Sequence, residues 1–193
     1  MRVIGGTAGG QRLASPSTDR VRPTGDRVRE ALFSMLGPIE GAGVVDGFAG
    51  SGALGIEALS RGASRCFFFD RSRSAIETIE QNLRRTGFAD RAIVARTTFV
   101  RGLEHHVVGT PDLWLLDPPY RTDLAGGALR AMQQATDKVT PGALVVWESE
   151  VDEPIPSLER FDRTRAREYG RTRLTFFRCV DDAGDPTRSG EDR

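Results

Sequence analysis

The middle of the chain alternates short apolar runs with segments in which apolar residues recur every three or four positions. Runs such as RCFFFD and DLWLLD have the length and composition of strands buried on both faces of a parallel sheet, and the segments between them have helical spacing. This order predicts a doubly wound α/β domain, because alternating units bury a parallel sheet between two helical layers. The predicted elements are strands at 43–48, 65–70, 91–97, 112–117 and 143–149 and helices at 52–61, 72–86, 99–107 and 124–139.

The N-terminal part of the chain departs from this alternation. Residues 2–16 combine extended pieces with a glycine-rich centre, which predicts a hairpin that precedes the core without belonging to it. Apolar residues at helical spacing then predict a helix that is capped by Thr24 or Asp26 and ends at Gly37-Pro38.

The C-terminal part departs from it as well. The segments 160–170 and 171–180 are strand candidates joined by a glycine turn, so we expect them to pair as an antiparallel hairpin at one sheet edge. The polar residues 181–193 predict a disordered acidic tail. The expected architecture is Rossmann-like, with a seven-stranded, mostly parallel sheet in a main domain at 38–180 and a small N-terminal hairpin and helix as an appendage at 1–37.

Charge and cysteine content narrow the class of protein. Acidic and basic residues number 27 each, so no global field draws the chain to nucleic acid or membrane. Cys66 and Cys179 lie far apart without a CxxC spacing, which argues against a disulfide framework or a metal site. No apolar run approaches the ~20 residues of a membrane helix. We therefore expect a soluble, cytoplasmic protein that is monomeric and holds no metal.

Basic residues concentrate at both ends of the chain and are almost all arginine, Lys138 being the only lysine. Guanidinium groups bind phosphate in a bidentate manner, which suits phosphate recognition, although a GC-biased genome produces the same composition. The N-terminal group comprises Arg2, Arg12, Arg20, Arg22, Arg27 and Arg29, and the C-terminal group comprises Arg160, Arg163, Arg165, Arg167, Arg171, Arg173 and Arg178.

A glycine-rich turn connects the first predicted strand to its helix. Gly50, Gly52 and Gly55 satisfy G-x-G-x-x-G, and Asp70 ends the second strand at the distance expected of a ribose-binding carboxylate. The pattern is typical of a dinucleotide site, and it also occurs as a tight turn without a ligand. Asp46 at the end of the first strand would crowd a pyrophosphate but would attract a cation. S-Adenosylmethionine, which carries a sulfonium and an ammonium and no phosphate, therefore fits better than a dinucleotide.

The fourth predicted strand ends abruptly in the sequence LWLLDPPY. Pro118 and Pro119 lack N–H groups, so they hold a stiff loop whose carbonyl groups are free to accept, and Tyr120 adds a flat surface. The amino group of a nucleobase could donate to the Asp117 carboxylate and the Pro118 carbonyl, which would orient its nitrogen for methyl transfer. Tyr120 would stack on this base once it has left its helix. The alternative is a rigid turn that ends the strand.

Several stretches resemble the class I S-adenosylmethionine-dependent methyltransferases, and within them the RsmD family of 16S ribosomal RNA guanine-N2 methyltransferases. The stretches are MRVIGGTAGGQRL, RPTGDRVREALFSML, DGFAGSGALGIEALSRGA, FFFDRS, LLDPPY and YGRTRL, which together cover nearly everything before the acidic tail. The resemblance implies S-adenosylmethionine as cofactor and 16S rRNA or the small ribosomal subunit as partner. It implies a catalytic loop of Asp117, Pro118, Pro119 and Tyr120, and a cofactor site that includes Asp46, Phe48, Ala49, Gly50, Ser51, Gly52, Asp70 and Arg71.

The remaining assignments concern the adenine and the RNA. Where enzymes of this kind often present Asp or Asn to the adenine amino group, this chain has Thr97-Thr98, so backbone groups are expected to take over the contact. Arg22 and Thr24 are expected to close over the cofactor or to bind RNA phosphate. Glu148, at the end of the fifth strand, could accept from the N1–H and N2–H groups of guanine, and Arg171 is expected on the RNA surface.

Other functions stay open at this point. A methyltransferase acting on adenine or cytosine in DNA or another RNA would share the D-P-P-Y motif, although the chain has no insertion for target recognition. A nicotinamide dehydrogenase would use the glycine turn but would leave Asp46 and D-P-P-Y unexplained. A non-catalytic RNA-binding protein would not need the chemistry that these motifs offer. Arg29, in the predicted N-terminal helix, is equally compatible with a solvated first turn.

Overall fold

The predicted strands assemble into one sheet in the computed structural model, which describes residues 1–16, 25–120 and 122–180. The strands are β1 (Gly43–Asp46), β2 (Arg65–Asp70), β3 (Ala92–Arg96), β4 (Leu113–Leu116), β5 (Leu144–Glu150), β6 (Phe161–Tyr169) and β7 (Thr172–Cys179). The helices are α1 (Asp26–Leu36), α2 (Ala53–Ser60), α3 (Arg73–Thr86), α4 (Phe99–His105) and α5 (Leu124–Gln134), with a short 3-10 turn at Ala89–Arg91. In these described ranges no helix has the length and apolar character needed to cross a membrane.

The sheet has seven strands in the order β3-β2-β1-β4-β5-β7-β6. The five neighbouring strands β3, β2, β1, β4 and β5 pair in parallel, whereas β7 pairs antiparallel with both β5 and β6. The mostly parallel sheet and the C-terminal antiparallel hairpin predicted from the sequence are therefore confirmed. The chain winds from β1 outward to β3 and restarts at β4 on the other side of β1. The carboxyl ends of β1 and β4 are thus the topological switch point, where ligands bind in such folds.

Helices cover both faces of the sheet. One face packs against α1, α2 and α3 and buries Val44 and Phe68, and the other packs against α4 and α5 and buries Val45 and Phe67. Strands covered on both sides require apolar side chains at consecutive positions, which is the pattern that the sequence shows. Gly55 lets α2 approach closely, because a Cβ at this position would come within 2.3 Å of the Phe68 ring.

The start of α1 differs from the prediction. Gly25 is the N-cap residue and no side chain caps the helix, so the predicted capping by Asp26 is wrong. Asp26 is instead the first residue of the helix, and its carboxylate accepts from the Arg29 guanidinium at 3.0 Å. Thr24, the alternative cap, lies outside the described residues.

Helix α5 is shorter than predicted and ends at Gln134 instead of position 139. The buried guanidinium of Arg160 donates to the carbonyl oxygens of Gln133 (3.0 Å) and Val139 (2.9 Å). A side chain from a distant segment thus satisfies the Gln133 carbonyl, which a continuing helix would otherwise pair with one of its own N–H groups. This long-range contact allows the chain to leave the helix early.

The N-terminal segment forms a small hairpin that is part of the core. Arg2 and Arg12 form an antiparallel bridge, and Val3, Ala8 and Leu13 are buried in the same cluster as α1, α2 and α3. The predicted hairpin is confirmed, but the expectation that it stands outside the core is wrong. Its glycine-rich sequence has few apolar residues because backbone groups make many of its contacts with α2.

The buried carboxylate of Glu57 on α2 joins the hairpin to the first helix. Its partners are the N–H groups of Ile4 (2.7 Å) and Gly5 (2.9 Å) and the guanidinium groups of Arg29 (3.8 Å) and Arg61 (2.7 Å). Arg29 is fully buried and also donates to the carbonyl of Arg2. The interpretation of Arg29 as part of a solvated helix turn is therefore wrong, because its charge is compensated inside the protein.

Replacing Glu57 by alanine should lower the free energy of unfolding by about 3–5 kcal/mol, because it removes the acceptor of the hairpin N–H groups and one of the two carboxylates that face the buried Arg29 guanidinium. Urea unfolding followed by circular dichroism would measure the change. Glu77→Ala is the matched control, since Glu77 forms the same (i, i+4) type of pair with Arg73 on an exposed helix surface. This control should change stability by less than about 0.5 kcal/mol. Equal small effects of both substitutions would contradict the prediction.

Candidate active site

The candidate site lies at the carboxyl ends of the central strands. Asp46 is the last residue of β1, Asp70 is the last residue of β2, and Asp117 follows the end of β4 directly. The register places Asp46 beside Phe68 on one side and Leu115 on the other, so these carboxylates lie on the same rim of the sheet. The rim coincides with the switch point between β1 and β4.

The turn between β1 and α2 is held against both neighbouring strands. Gly47 N–H donates to the Leu115 carbonyl of β4, and Ala49 N–H donates to the Phe69 carbonyl of β2, both at 2.9 Å. Gly50 and Gly52 have left-handed backbone angles, with φ of 54° and 77°, which residues with a side chain rarely adopt. A Cβ at Gly50 would meet no atom within 4 Å. The backbone of the turn is therefore open to a ligand at this point.

Asp46 lies directly beneath the turn and is only 1% exposed. One carboxylate oxygen, Oδ2, accepts from the Gly55 N–H at 2.9 Å, while Oδ1 is buried without a hydrogen-bond partner among the described residues. Burial raises the pKa of Asp46 to about 7, against the opposing effect of the Gly55 N–H, and the nearby Asp70 charge raises it further. A cation placed beside this carboxyl would favour its ionised form.

Asp70 is fixed by backbone groups on both of its oxygens. Oδ2 accepts from the Gly50 N–H at 2.9 Å, and Oδ1 accepts from the Ser72 N–H at 2.8 Å. A carboxylate oxygen can accept more than one hydrogen bond, so the partly exposed Asp70 keeps acceptor capacity for the hydroxyl groups of a ligand. Arg71 next to it is exposed.

The segment after β3 borders the same part of the rim. Thr97 N–H donates to the Asp70 carbonyl at 3.0 Å. The Thr98 hydroxyl accepts from the Arg101 N–H at 3.3 Å and caps α4. The side chain of Thr98 thus caps the helix, and the Thr97 hydroxyl and the backbone groups of this segment are the other polar atoms that it can offer to a ligand. On the other side of the turn, Phe48 stacks on Phe99 with ring centroids 5.9 Å apart.

The D-P-P-Y loop occupies the other half of the rim. Asp117 is partly exposed, Pro118 is buried, and Pro119 is exposed. The Tyr120 hydroxyl donates to Oε1 of Glu148 at 3.0 Å and lies 3.3 Å from the hydroxyl of Thr172. Burial, followed by the charge of Glu148, raises the pKa of Tyr120 far above its usual value. Tyr120 is therefore a neutral hydrogen-bond donor, and its ring is held at a fixed position by strands β5 and β7.

The structure brings together most of the residues predicted for the site. The glycine turn, Asp46 and Asp70 form one group, and Asp117, Tyr120 and the 4%-exposed Glu148 lie on the other side of the switch point. Arg171 is exposed at the turn between β6 and β7, next in the chain to Thr172. Arg22 and Thr24 lie outside the described residues.

Sequence reasoning missed Asn82 and Thr172. The fully buried Asn82 amide donates to the carbonyls of Ser51 (2.9 Å) and Ala14 (3.0 Å), so it connects the glycine turn to the N-terminal segment. A polar residue between the apolar Ile79 and Leu83 of α3 is a signal that could have identified it. No pattern around Thr172 indicated its contact with Tyr120, which depends on strand register.

Comparison with known proteins identifies the family. The family model described as "Conserved hypothetical protein 95" matches residues 1–178. "Ribosomal RNA small subunit methyltransferase D" of Escherichia coli (strain K12) is 37% identical over 160 residues, which cover 82% of this chain and 79% of that protein. The Haemophilus influenzae protein of the same name is 33% identical over 174 residues, which cover 88% and 89% of the two chains.

Solved structures agree with this assignment. The Escherichia coli structure "Putative methyltransferase yhhF" superposes with a TM-score of 0.83 at 31% identity, over 93% of this chain and 98% of that one. An RNA methyltransferase from Salinibacter ruber in complex with S-adenosyl-L-homocysteine superposes with a TM-score of 0.64 over 85% and 97% of the chains; at 14% identity this likeness shows the fold alone. The chain therefore belongs to the conserved hypothetical protein 95 family, which is the RsmD family predicted from its sequence, and it has the class I methyltransferase fold.

Proposed function

We propose that the chain transfers a methyl group from S-adenosylmethionine to the N2 amino group of a guanine in 16S rRNA, free or within the small ribosomal subunit. The proposal rests above all on one juxtaposition, in which the glycine turn with Asp46 and Asp70 lies across the switch point from the D-P-P-Y loop. The relatives from Escherichia coli and Haemophilus influenzae are named for methylation of small-subunit ribosomal RNA, which supports RNA as the substrate. The choice of the guanine N2 amino group as the methylated position rests on the resemblance of the sequence to the RsmD family.

The residues of the turn fit S-adenosylmethionine. The unpartnered Oδ1 of Asp46 supplies negative charge for a cation, the open backbone at Gly50 can lie along the ligand, and Asp70 can accept from the ribose hydroxyls. When bound, this cofactor supplies an electrophilic methyl group. The wider cofactor site in this proposal consists of Phe48, Ala49, Ser51, Gly52, Arg71, Thr97 and Thr98, with Thr24 closing over it.

The D-P-P-Y loop suits an exocyclic amine. The nitrogen of such an amine is a weak nucleophile because its lone pair is delocalised into the base. Donation of its N–H groups to the Asp117 carboxylate and the Pro118 carbonyl would favour a pyramidal nitrogen and hold it in line for attack. The amine nitrogen would gain the methyl group that bound S-adenosylmethionine supplies, in place of the bond from that methyl to sulfur, and would then lose one proton to solvent. Asp117 acts here as a hydrogen-bond acceptor and orienting group.

Tyr120 would stack on the extruded guanine. Its hydroxyl is anchored by Glu148 and Thr172, so the ring is in place before the base arrives. A fixed ring lowers the cost of ordering the base, which has already lost its stacking partners in RNA. Glu148 is proposed as the carboxylate that faces the guanine edge. Arg22 and Arg171 would contact the surrounding RNA.

The competing activities fit less well. A nicotinamide dehydrogenase would place a pyrophosphate over the buried Asp46, where negative charge repels it, and the chain belongs to a family with members named as methyltransferases. Methylation of adenine or cytosine would use the same loop, so only analysis of the product distinguishes it from guanine methylation.

Asp117→Asn should lower kcat/KM for methylation by about a hundredfold or more while leaving S-adenosylmethionine affinity unchanged, because the substitution removes a charged acceptor of the amine. The assay uses radiolabelled S-adenosylmethionine with small subunits from cells that lack this methyltransferase, followed by mass spectrometry of the nucleosides. Asp112→Asn is the control, since Asp112 is exposed at the opposite end of β4 and accepts from the Gly43 N–H. Absence of N2-methylguanosine with the wild-type enzyme would refute the proposed function.

Tyr120→Phe should lower kcat/KM about tenfold, because the ring keeps its stacking surface but loses the hydrogen bond to Glu148. Tyr120→Ala should cost more, since stacking of a base on an aromatic ring contributes about 1–3 kcal/mol. Steady-state kinetics with varied RNA concentration measure both effects. Equal activity of the two variants would show that Tyr120 does not stack on the base.

Binding of S-adenosylmethionine should release a proton and strengthen as the pH rises toward 7. In the protein without ligand the pKa of Asp46 is raised by burial to about 7. A bound cation lowers this pKa, so the ionised form is favoured in the complex. The gain in affinity should end above the pKa of the free protein. Calorimetry in buffers of different ionisation enthalpy measures the proton release, which should disappear in Asp46→Asn. Proton release that persists in this variant would assign the effect to another group.

A further inference from the structure

We propose that Arg165 and Arg167 of β6, together with Arg171 at the turn to β7, form an arginine ridge that binds the RNA backbone beside the target base. The inference rests on the proposed function and adds to it the surface that holds the RNA. Arg165 and Arg167 are exposed on the outermost strand of the sheet, and Arg171 is exposed at the turn that follows it. Among the described residues the structure gives none of them an ion-pair partner, so their charges are available to an external anion.

The strand register determines which face of the sheet these arginines occupy. Arg165 pairs with Phe176 and Arg167 pairs with Leu174, and side chains of paired residues lie on the same face. Phe176 and Leu174 belong to the cluster beneath α1, α2 and α3. The ridge therefore extends this face of the sheet beyond its last covered strand.

The same face carries the anchored tyrosine. Glu148 pairs with Leu174 across β5 and β7, so the acceptor of the Tyr120 hydroxyl lies on the face that also carries Arg167. Thr172, which contacts Tyr120, comes directly after Arg171. One continuous path thus leads from the D-P-P-Y loop over the hairpin turn and along β6.

The spacing and chemistry of the ridge favour a phosphate backbone. Alternate residues of a strand lie about 6.6 Å apart, which is similar to the separation of neighbouring phosphates along one RNA strand. Guanidinium groups bind phosphate oxygens in a bidentate manner. Glu168 pairs with Arg173 on the opposite face, and Asp162 lies at the far end of the strand beside Arg178. The part of β6 nearest the catalytic rim is therefore locally basic in a chain of zero net charge.

Arg163 provides a matched control within the same strand. It is also an exposed arginine, but a bulge separates it from Arg165, and it pairs with Phe177 of the cluster beneath α4 and α5. Removal of Arg163 takes away the same charge from the same strand on the opposite face. A general electrostatic effect would make Arg163 and Arg165 equivalent, whereas the arginine ridge requires them to differ.

The test measures binding of protein-free, unmodified 16S rRNA by filter retention over a series of salt concentrations. Arg165→Ala should bind roughly threefold more weakly than the wild type and Arg165→Ala/Arg167→Ala roughly tenfold, and the slope of log K against log salt should be smaller by about 0.7–0.9 for the single variant and about 1.4–1.8 for the double variant. Arg163→Ala should match the wild type. Calorimetry should give unchanged S-adenosylmethionine affinity for all of these proteins, which confirms that each variant is folded.

Equal affinities of Arg165→Ala and Arg163→Ala would overturn the arginine ridge. A binding defect whose salt slope stays at the wild-type value would also overturn it, because loss of phosphate contacts must reduce this slope. Aggregation of the double variant with unchanged RNA affinity of its monomer would show that the arginines protect the sheet edge instead. The binding assay requires no methyl transfer, so failure of the arginine ridge is distinguishable from failure of the proposed methylation.

Discussion

The hydrogen bond from the Gly55 N–H to the buried carboxylate of Asp46 is the constraint on which the site depends. A carboxylate buried at a strand end is costly unless hydrogen bonds or charges compensate it. Gly55 supplies one such bond from the first turn of α2 and at the same time allows the helix to approach Phe68. The strand end, the turn and the start of the helix are thereby fixed relative to one another, and Gly50 and Asp70 take their positions from that arrangement.

This arrangement is completed by polar contacts from outside the turn. Asp70 accepts from Gly50, so the second strand holds the outer part of the turn. Asn82 of α3 donates to Ser51 and to Ala14, and Glu57 of α2 accepts from the N-terminal hairpin. The first residues of the chain are thus tied to the same helices that shape the glycine turn. A change in the N-terminal hairpin can reach the turn through these contacts.

The predictions succeeded where the information was local in the chain. The glycine spacing, the carboxylates at strand ends and the D-P-P-Y run each lie within a few residues, and the rule for parallel sheets then places them on one rim. The end of a helix and the burial of a charged side chain depended on partners that are distant in the sequence. Arg29 is buried because Glu57 lies beside it, and α5 ends early because Arg160 reaches its carbonyls. Glu57 and Arg160 lie far from α1 and α5 in the sequence, so the pattern of residues within these helices does not reveal them.

The antiparallel hairpin explains how Thr172 comes to lie beside the D-P-P-Y loop at the rim. If β7 ran parallel to β5, its first residues would lie at the amino end of β5, on the side of the sheet away from the rim. Because it runs antiparallel, Thr172 pairs with Glu150 at the catalytic rim, where it reaches Tyr120. Strand β6 then ends at the same rim, since it is antiparallel to β7. Under the proposed function, β1 and β2 form the side of the rim that binds the cofactor, and β4, β5 and the hairpin form the side that faces the base.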